Sequence, residues 1–256
     1  MCIRDRMDLI NSIQLGTADL TITGESLQNW APKAALLAVP YAFNSAEEMR
    51  AAASGPVGEE ISTEITAKTG LVPLTWFERG PRHLTSNRPI KTPDDLNGLL
   101  LRVPNVPLFA KVWEKLGAKP TTMNFGEVFT SLQQNTIEAQ ENPLSLIESA
   151  SFFEVQKHVN ETAHVRSWIY VVIGQAKLDS MPEDLQQIVR EAADEMQDYE
   201  HELFLAEEKA LRTRLEAKGM TFVASDRDAF ASKAKPAVLS ALSPEQRKLL
   251  EKLQQP

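Results

Sequence analysis

Cysteine is nearly missing from this 256-residue chain. Cys2 is its single thiol, which excludes a disulfide framework and a cysteine metal site. Histidine is also sparse. His83, His158, His164 and His201 fall at no metal-ligand spacing, and a separation of six does not put His158 and His164 on one helix face. No apolar run reaches the ~18 residues that a membrane-spanning helix needs. The start, Met1-Cys2-Ile3-Arg4-Asp5-Arg6, lacks the basic, apolar and small-residue order of a secretory signal. It also breaks the pattern that begins near Met7, so it is expected to be a fragment end or a gene-calling artefact. Basic charge is not in excess, with 27 Lys+Arg against 35 Asp+Glu and a net charge of −8. A general nucleic-acid binder would show a basic face, so no nucleic-acid partner is expected. G-x-G-x-x-G, P-loop, G-x-S-x-G and H-E-x-x-H motifs are all absent, and no cofactor or metal is expected.

What is present is ordinary globular material, 43% hydrophobic and 24% charged, long enough for one large domain or two modest ones. Periodicity and punctuation predict helices over 8–15 (stopped by Gly16), 45–53 (capped by Ser45), 59–68 (closed by Gly70), 106–116 (ended by Gly117) and 126–134. Thr92-Pro93-Asp94-Asp95 reads as another helix start, stopped at Gly98. Strands are expected over 20–23, 71–77, 99–103, 136–140 and 168–174. Strands alternating with helices predict an α/β fold.

The segment 182–218 reads as one long helix of roughly 55 Å at ~1.5 Å per residue. Its apolar positions hold no strict heptad, so a brace joining two domains is the better reading than a coiled coil. Residues 12–19 and 131–138 echo each other in type, each a helix end followed by a strand beginning at Thr, which suggests two lobes of similar build.

Candidate chemistry lies in charge placed inside apolar strands. Arg102 sits between Leu99-Leu100-Leu101 and Val103-Pro104. A buried guanidinium keeps its charge and needs a partner. That partner is an internal carboxylate, water beyond the strand end, or an external carboxylate gripped by two parallel hydrogen bonds. Arg82 is a second candidate just after a strand, although taken alone it reads more readily as a surface arginine. Asn142, in Gln140-Glu141-Asn142-Pro143, offers a donor and an acceptor to a ligand, or simply forms a turn before proline. Glu25, in Gly24-Glu25-Ser26, follows the first strand and serves a ligand or a helix start. In doubly wound sheets ligands bind beyond the carboxyl ends of strands, where three of these four sets lie.

Several motifs follow one another in a known order: 80–90 (GPRHLTSNRPI), Asp95-Leu96-Asn97-Gly98-Leu99, Leu101-Arg102-Val103-Pro104-Asn105, Leu116-Gly117-Ala118-Lys119-Pro120-Thr121, Phe125-Gly126-Glu127-Val128, Gln140-Glu141-Asn142-Pro143 and Phe153-Glu154-Val155-Gln156-Lys157. In this the chain strongly resembles the extracytoplasmic solute receptors of tripartite ATP-independent periplasmic (TRAP) transporters, the DctP family. The resemblance covers the chain from about Met7 to the last helix.

The resemblance implies a two-lobed periplasmic binding protein, type II-like, with a long helix spanning both lobes. It implies a first lobe of residues 1–79 plus 168–207 and a second of 80–167 plus 208–256, the helix 182–218 bridging them. It also implies a signal peptide and an N-terminal strand–helix–strand unit that are missing from this chain. By the same resemblance the protein is a periplasmic monomer, not an enzyme, that closes over an organic acid such as a C4-dicarboxylate and delivers it to the TRAP membrane permease subunits. Arg102 would pair with the ligand carboxylate, with Arg82, Asn142, Phe125, Asn105 and Glu25 as further ligand contacts. Two departures, Pro81 in the G-x-R segment and Gln28 where sialic-acid binders carry arginine, argue against a sialic-acid ligand. The alternative is a small-acid lyase or isomerase that uses Arg102 as a substrate clamp and Glu25 or Glu141 as base.

Overall fold

A computed structural model of the chain describes residues 6–254. The expectation for residues 1–6 lies almost wholly outside them. The helices follow their punctuation. Helix α1 is Arg6–Gln14, α2 (Ala46–Ala53) is capped by the Ser45 hydroxyl, α3 (Pro56–Thr69) ends at Gly70, and α4 (Pro107–Leu116) ends at Gly117. Both terminal glycines have positive φ, 69° and 116°, a backbone region that other residues enter only with strain. Two expected helices are shorter than predicted. Residues 93–96 make one 3₁₀ turn, and 126–134 divides into a 3₁₀ turn and α5 (Val128–Gln133).

The strands are β1 (Leu20–Thr23), β2 (Leu71–Ser86), β3 (Leu100–Val103), β4 (Lys119–Thr122), β5 (Ala139–Pro143), β6 (His158–Gly174) and β7 (Thr221–Val223). They form one open sheet in the order β1-β6-β2-β5-β3-β4, with β7 added to β6. The two long strands β2 and β6 pair antiparallel along nearly their whole length. At one end, residues 170–173 of β6 also pair with β1. At the other, residues 158–160 of β6 pair with β7 and residues 82–86 of β2 pair with β5, which carries β3 and β4 beyond it. The sheet is therefore narrow at one end, wide at the other, and joined through two shared strands. The register of β2 against β6 shifts between Arg79 and Arg82, at that joint.

After α6 (Leu144–Ser149) and α7 (Gln175–Asp179), the long helix α8 spans Glu183–Ala217, close to its expected range. Its first half packs near the β1 end, with Val189 against Val72, Ile173 and Leu178, while Gln197 donates to the Trp76 carbonyl at 2.7 Å. Its last turns bury Leu211 and Leu215 with Val128, Ile147, Phe152 and Val159 at the wide end. Arg214 grips Glu148 there at 2.9 Å. One helix thus ties both ends of the sheet, the brace expected. Two C-terminal helices follow, α9 (Arg227–Ala241) and α10 (Pro244–Leu253). Helix α10 returns to the 3₁₀ segment Pro32–Ala38, where Gln246 donates to the Pro32 carbonyl and Glu245 pairs with Lys33 at 3.2 Å.

Candidate functional site

Most of the residues singled out in the sequence converge on the joint. Arg82 lies on β2, opposite Pro143 of β5 and Val165 of β6, and it is buried rather than a surface arginine. Its Nε donates to Glu141 Oε2 at 2.5 Å and its Nη2 to Oε1 at 2.8 Å, to the Glu141 carbonyl at 2.8 Å and to Asn142 Oδ1 at 3.1 Å. Asn142 in turn donates to Gln140 Oε1 at 2.6 Å. Gln140 stands opposite Arg102 of β3 in the parallel pairing of β3 with β5. Glu25, from the turn that follows β1, is 3.9 Å from Arg82 Nη1 and accepts from Arg79 Nη1 at 3.1 and 3.2 Å. Arg82, Asn142 and Glu25 therefore belong to one buried polar seam that runs from the narrow end of the sheet into the wide end, and Arg102 stands beside it on the neighbouring strand.

Arg102 is buried late in its strand, where Nε and Nη2 both donate to the Met123 carbonyl at 3.0 and 2.7 Å. Two bonds to one oxygen fix the plane of the guanidinium. Its carbon lies 5.9 Å from the centre of the Phe125 ring, within cation–π range. Phe125 is 38% exposed and meets Phe152 edge-on at 5.8 Å, so its face is available beside the arginine. Asn105 is exposed two residues past β3, and no hydrogen bond among the described residues ties it to the seam.

The seam's electrostatics are set by burial. Burial alone would push the Glu141 carboxyl up, but the Arg82 charge and hydrogen bonds from His164 and Arg82 outweigh it and hold the group down at about 2. His164 Nε2 lies 2.8 Å from Glu141 Oε2, and its Nδ1 lies 2.8 Å from Thr162 Oγ1. A carboxylate can only accept, so Nε2 carries the proton and Nδ1 accepts from the threonine. Burial lowers the pKa of His164 against the pull of Glu141. Burial, with His164, Arg166 and Arg212, lowers that of His83 to about 3. Sequence reading missed Arg79. Its partner Glu25 lies 54 residues upstream, and only the fold brings them together. Among the described residues no group of three His, Cys, Asp or Glu side chains could hold a metal ion, and no helix is long and apolar enough to cross a membrane.

A sheet shared by two ends, with a buried cationic seam where they join, defines a two-lobed solute receptor of the periplasmic-binding class. Residues 3–244 match the family model DctP, bacterial extracellular solute-binding protein, family 7, and the chain belongs to that family. It is 56% identical over 247 residues to a solute-binding protein of Roseobacter denitrificans, covering 96% of this chain and 76% of that one. It is 34% identical to the 2,3-diketo-L-gulonate-binding periplasmic protein YiaO of Escherichia coli K12, over 87% of this chain and 69% of that protein. The crystal structure of a TRAP periplasmic solute-binding protein from Roseobacter denitrificans OCh 114 with bound L-galactonate has a TM-score of 0.96 and 55% identity, over 99% of this chain and 85% of that one. A Xanthobacter autotrophicus receptor with bound β-D-galacturonate has a TM-score of 0.93 at 26% identity, with 99% of this chain and 85% of that one covered. These relatives are transporter receptors, and the chain is a solute-binding protein rather than the lyase or isomerase held as an alternative.

Proposed function

We propose that this protein captures a sugar acid, an aldonate or uronate, in the periplasm and hands it to the membrane subunits of a TRAP transporter. The observation that carries this reading is the gathering of Arg79, Arg82 and Arg102, all buried, with the amides of Gln140 and Asn142 at the joint between the two ends of the sheet. Such a place supplies cationic forks for a carboxylate and amides for hydroxyl groups. The relatives named above bind L-galactonate, galacturonate and a diketo-gulonate, which favours a sugar acid over a C4-dicarboxylate.

In this reading Arg102 holds the ligand carboxylate in a two-pronged pair, Arg82 and Asn142 fix its second face, and Phe125 covers the carbon chain. Asn105 borders the mouth. Glu25 accepts from ligand hydroxyls. The ligand favours the closed state only through contacts made there, and Glu25, arriving from the β1 end, is the group that supplies them. The lobes divide near residues 79–82 and 165–167. The first lobe regains α10, because that helix packs on Pro32–Ala38.

Calorimetric titration with L-galactonate, D-galacturonate, D-glucuronate and succinate tests the proposal. One sugar acid should bind with a lower Kd than succinate by a factor of ten or more, and the acid should be recovered unchanged. Tighter binding of succinate, or none of the four, overturns it.

A further inference from the structure

Arg82 is held along one edge of its guanidinium. Nε and Nη2 donate to the two Glu141 oxygens, and Nη2 also donates to Asn142 Oδ1. A second kind of contact acts on the same group. The guanidinium carbon lies over the ring of Phe109, 5.6 Å from its centre, within the range at which a cation is drawn to the negative face of an aromatic ring. Arg82 and Phe109 are both buried, so water screens the attraction little. Phe109 belongs to α4, which begins four residues after β3, the strand of Arg102, has ended. Its amide donates to the Val106 carbonyl at 3.0 Å, and its side chain packs in the main core. One turn further on, Trp113 meets the His164 ring edge-on at 4.9 Å. Helix α4 therefore backs both side chains that bind the Glu141 carboxylate, Arg82 through Phe109 and His164 through Trp113.

We infer that Phe109 is a positioning residue for the ligand site: the face of its ring fixes the tilt of the Arg82 guanidinium and sets it relative to Arg102. This rests on the sugar-acid reading above, in which both arginines meet the ligand. Glu141 fixes one edge of a planar group, which can still tilt about that edge, and the ring restrains the tilt. Strands β2 and β3 are not neighbours, because β5 lies between them. The step from Arg102 through the start of α4 to Phe109 gives the two arginines a second connection, outside the sheet. A side chain held in its binding orientation beforehand loses less freedom when the acid arrives. An aliphatic side chain at 109 would fill the same space and offer no face to the charge.

The test replaces Phe109 with phenylalanines that carry one, two or three ring fluorines, which draw charge from the face of the ring while barely changing its size. The probe is whichever of L-galactonate, D-galacturonate and D-glucuronate binds the wild type most tightly, and the readout is its Kd by calorimetric titration. The same substitutions at Phe230, a ring buried in the same core, report what fluorine does to packing alone. Binding should weaken with each fluorine at 109, by about three- to tenfold at three, while the Phe230 series stays within about twofold. Phe109→Leu should weaken binding at least as much as three fluorines. Where the most fluorinated form fails to fold, the first two still give the slope. A flat series at 109, or an equal slope at 230, overturns the inference and leaves the sugar-acid reading intact. A wild type that binds none of the three acids overturns both.

Discussion

Arg82 and Glu141 form a two-pronged ion pair wholly inside the protein, at 2.5 and 2.8 Å, and His164 presses a third donor onto the same carboxylate. Removing one member of a buried pair leaves the other charged and unsolvated, which costs about 3–5 kcal/mol. Glu141→Gln should therefore lower Tm by about 6–20 °C in a chain of this size. Replacing both partners at once, as Arg82→Met with Glu141→Leu, should cost less than the single change. Differential scanning calorimetry of the ligand-free protein decides it, and equal or larger loss in the double variant would contradict the pairing energetics.

Arg102→Ala should weaken sugar-acid binding by about 2–5 kcal/mol, because a carboxylate enclosed in the cleft would lose its charged partner. That is a factor between about 30 and several thousand in Kd. Arg102→Lys should not restore it, since an ammonium lacks the planar fork. Retention of binding within threefold in the alanine variant would be evidence that the carboxylate lies elsewhere.

The interface of α8 with β2 gives a pH dependence of opposite sign to that of the seam. Burial, then the nearby Glu78 charge, raises the Glu200 carboxyl to about 7, and the same two causes raise Glu208 against the pull of Arg166. A raised carboxyl contributes fully below its unfolded value near 4.5, and the contribution is lost as pH rises through 7. Glu200→Gln should thus be more stable than wild type at pH 8, and the difference should shrink by pH 5. In acid the trend reverses. His83 and Glu141, lowered to about 3 and about 2, contribute above their unfolded values and lose that contribution as pH falls through their folded ones. A pH series of Tm values for both proteins checks the two signs. A gap that widens toward pH 5 would refute the assignment to Glu200.

Gly58 lies inside α3, where alanine normally favours the helix. Here a Cβ would overlap the backbone oxygen of Ala53 at the end of α2, and backbone cannot swing aside. Gly58→Ala should destabilise by about 1–3 kcal/mol, as overpacking does, with a Tm fall in place of the usual gain.

The sequence exposed the helices better than the strands, for a physical reason. Helix ends carry their own chemistry, and Ser45, Gly70 and Gly117 marked α2, α3 and α4 to within a few residues. Strands β2 and β6 were legible only where they are apolar, over 71–77 and 168–174. Their other halves carry Arg79, Arg82, His83, Asn160, His164 and Ser167, all buried, with Arg82 and His164 held by Glu141 and Asn160 by Ser86, and polar residues in sequence read as loop. Strand β5 came three residues late because Asn142-Pro143 looks like a turn, whereas Asn142 is held by Arg82 and Gln140. Edge strand β4 is mostly exposed and left no apolar signal. Arg102 stood out as a charge in an apolar run, while Arg79 needed a glutamate 54 residues upstream to acquire meaning.

The shared pair of long strands also constrains the length of the chain. Side chains on a strand alternate, so losing one residue within 82–86, which pairs with 139–143 of β5 without a break, would move everything beyond it to the opposite face. Leu84 and Ser86 would then exchange faces with His83 and Thr85. Insertions and deletions that a surface turn such as 87–92 would absorb are therefore ruinous here. Homologous receptors should keep a fixed count of residues through this joint even where their side chains, and the acids they carry, diverge.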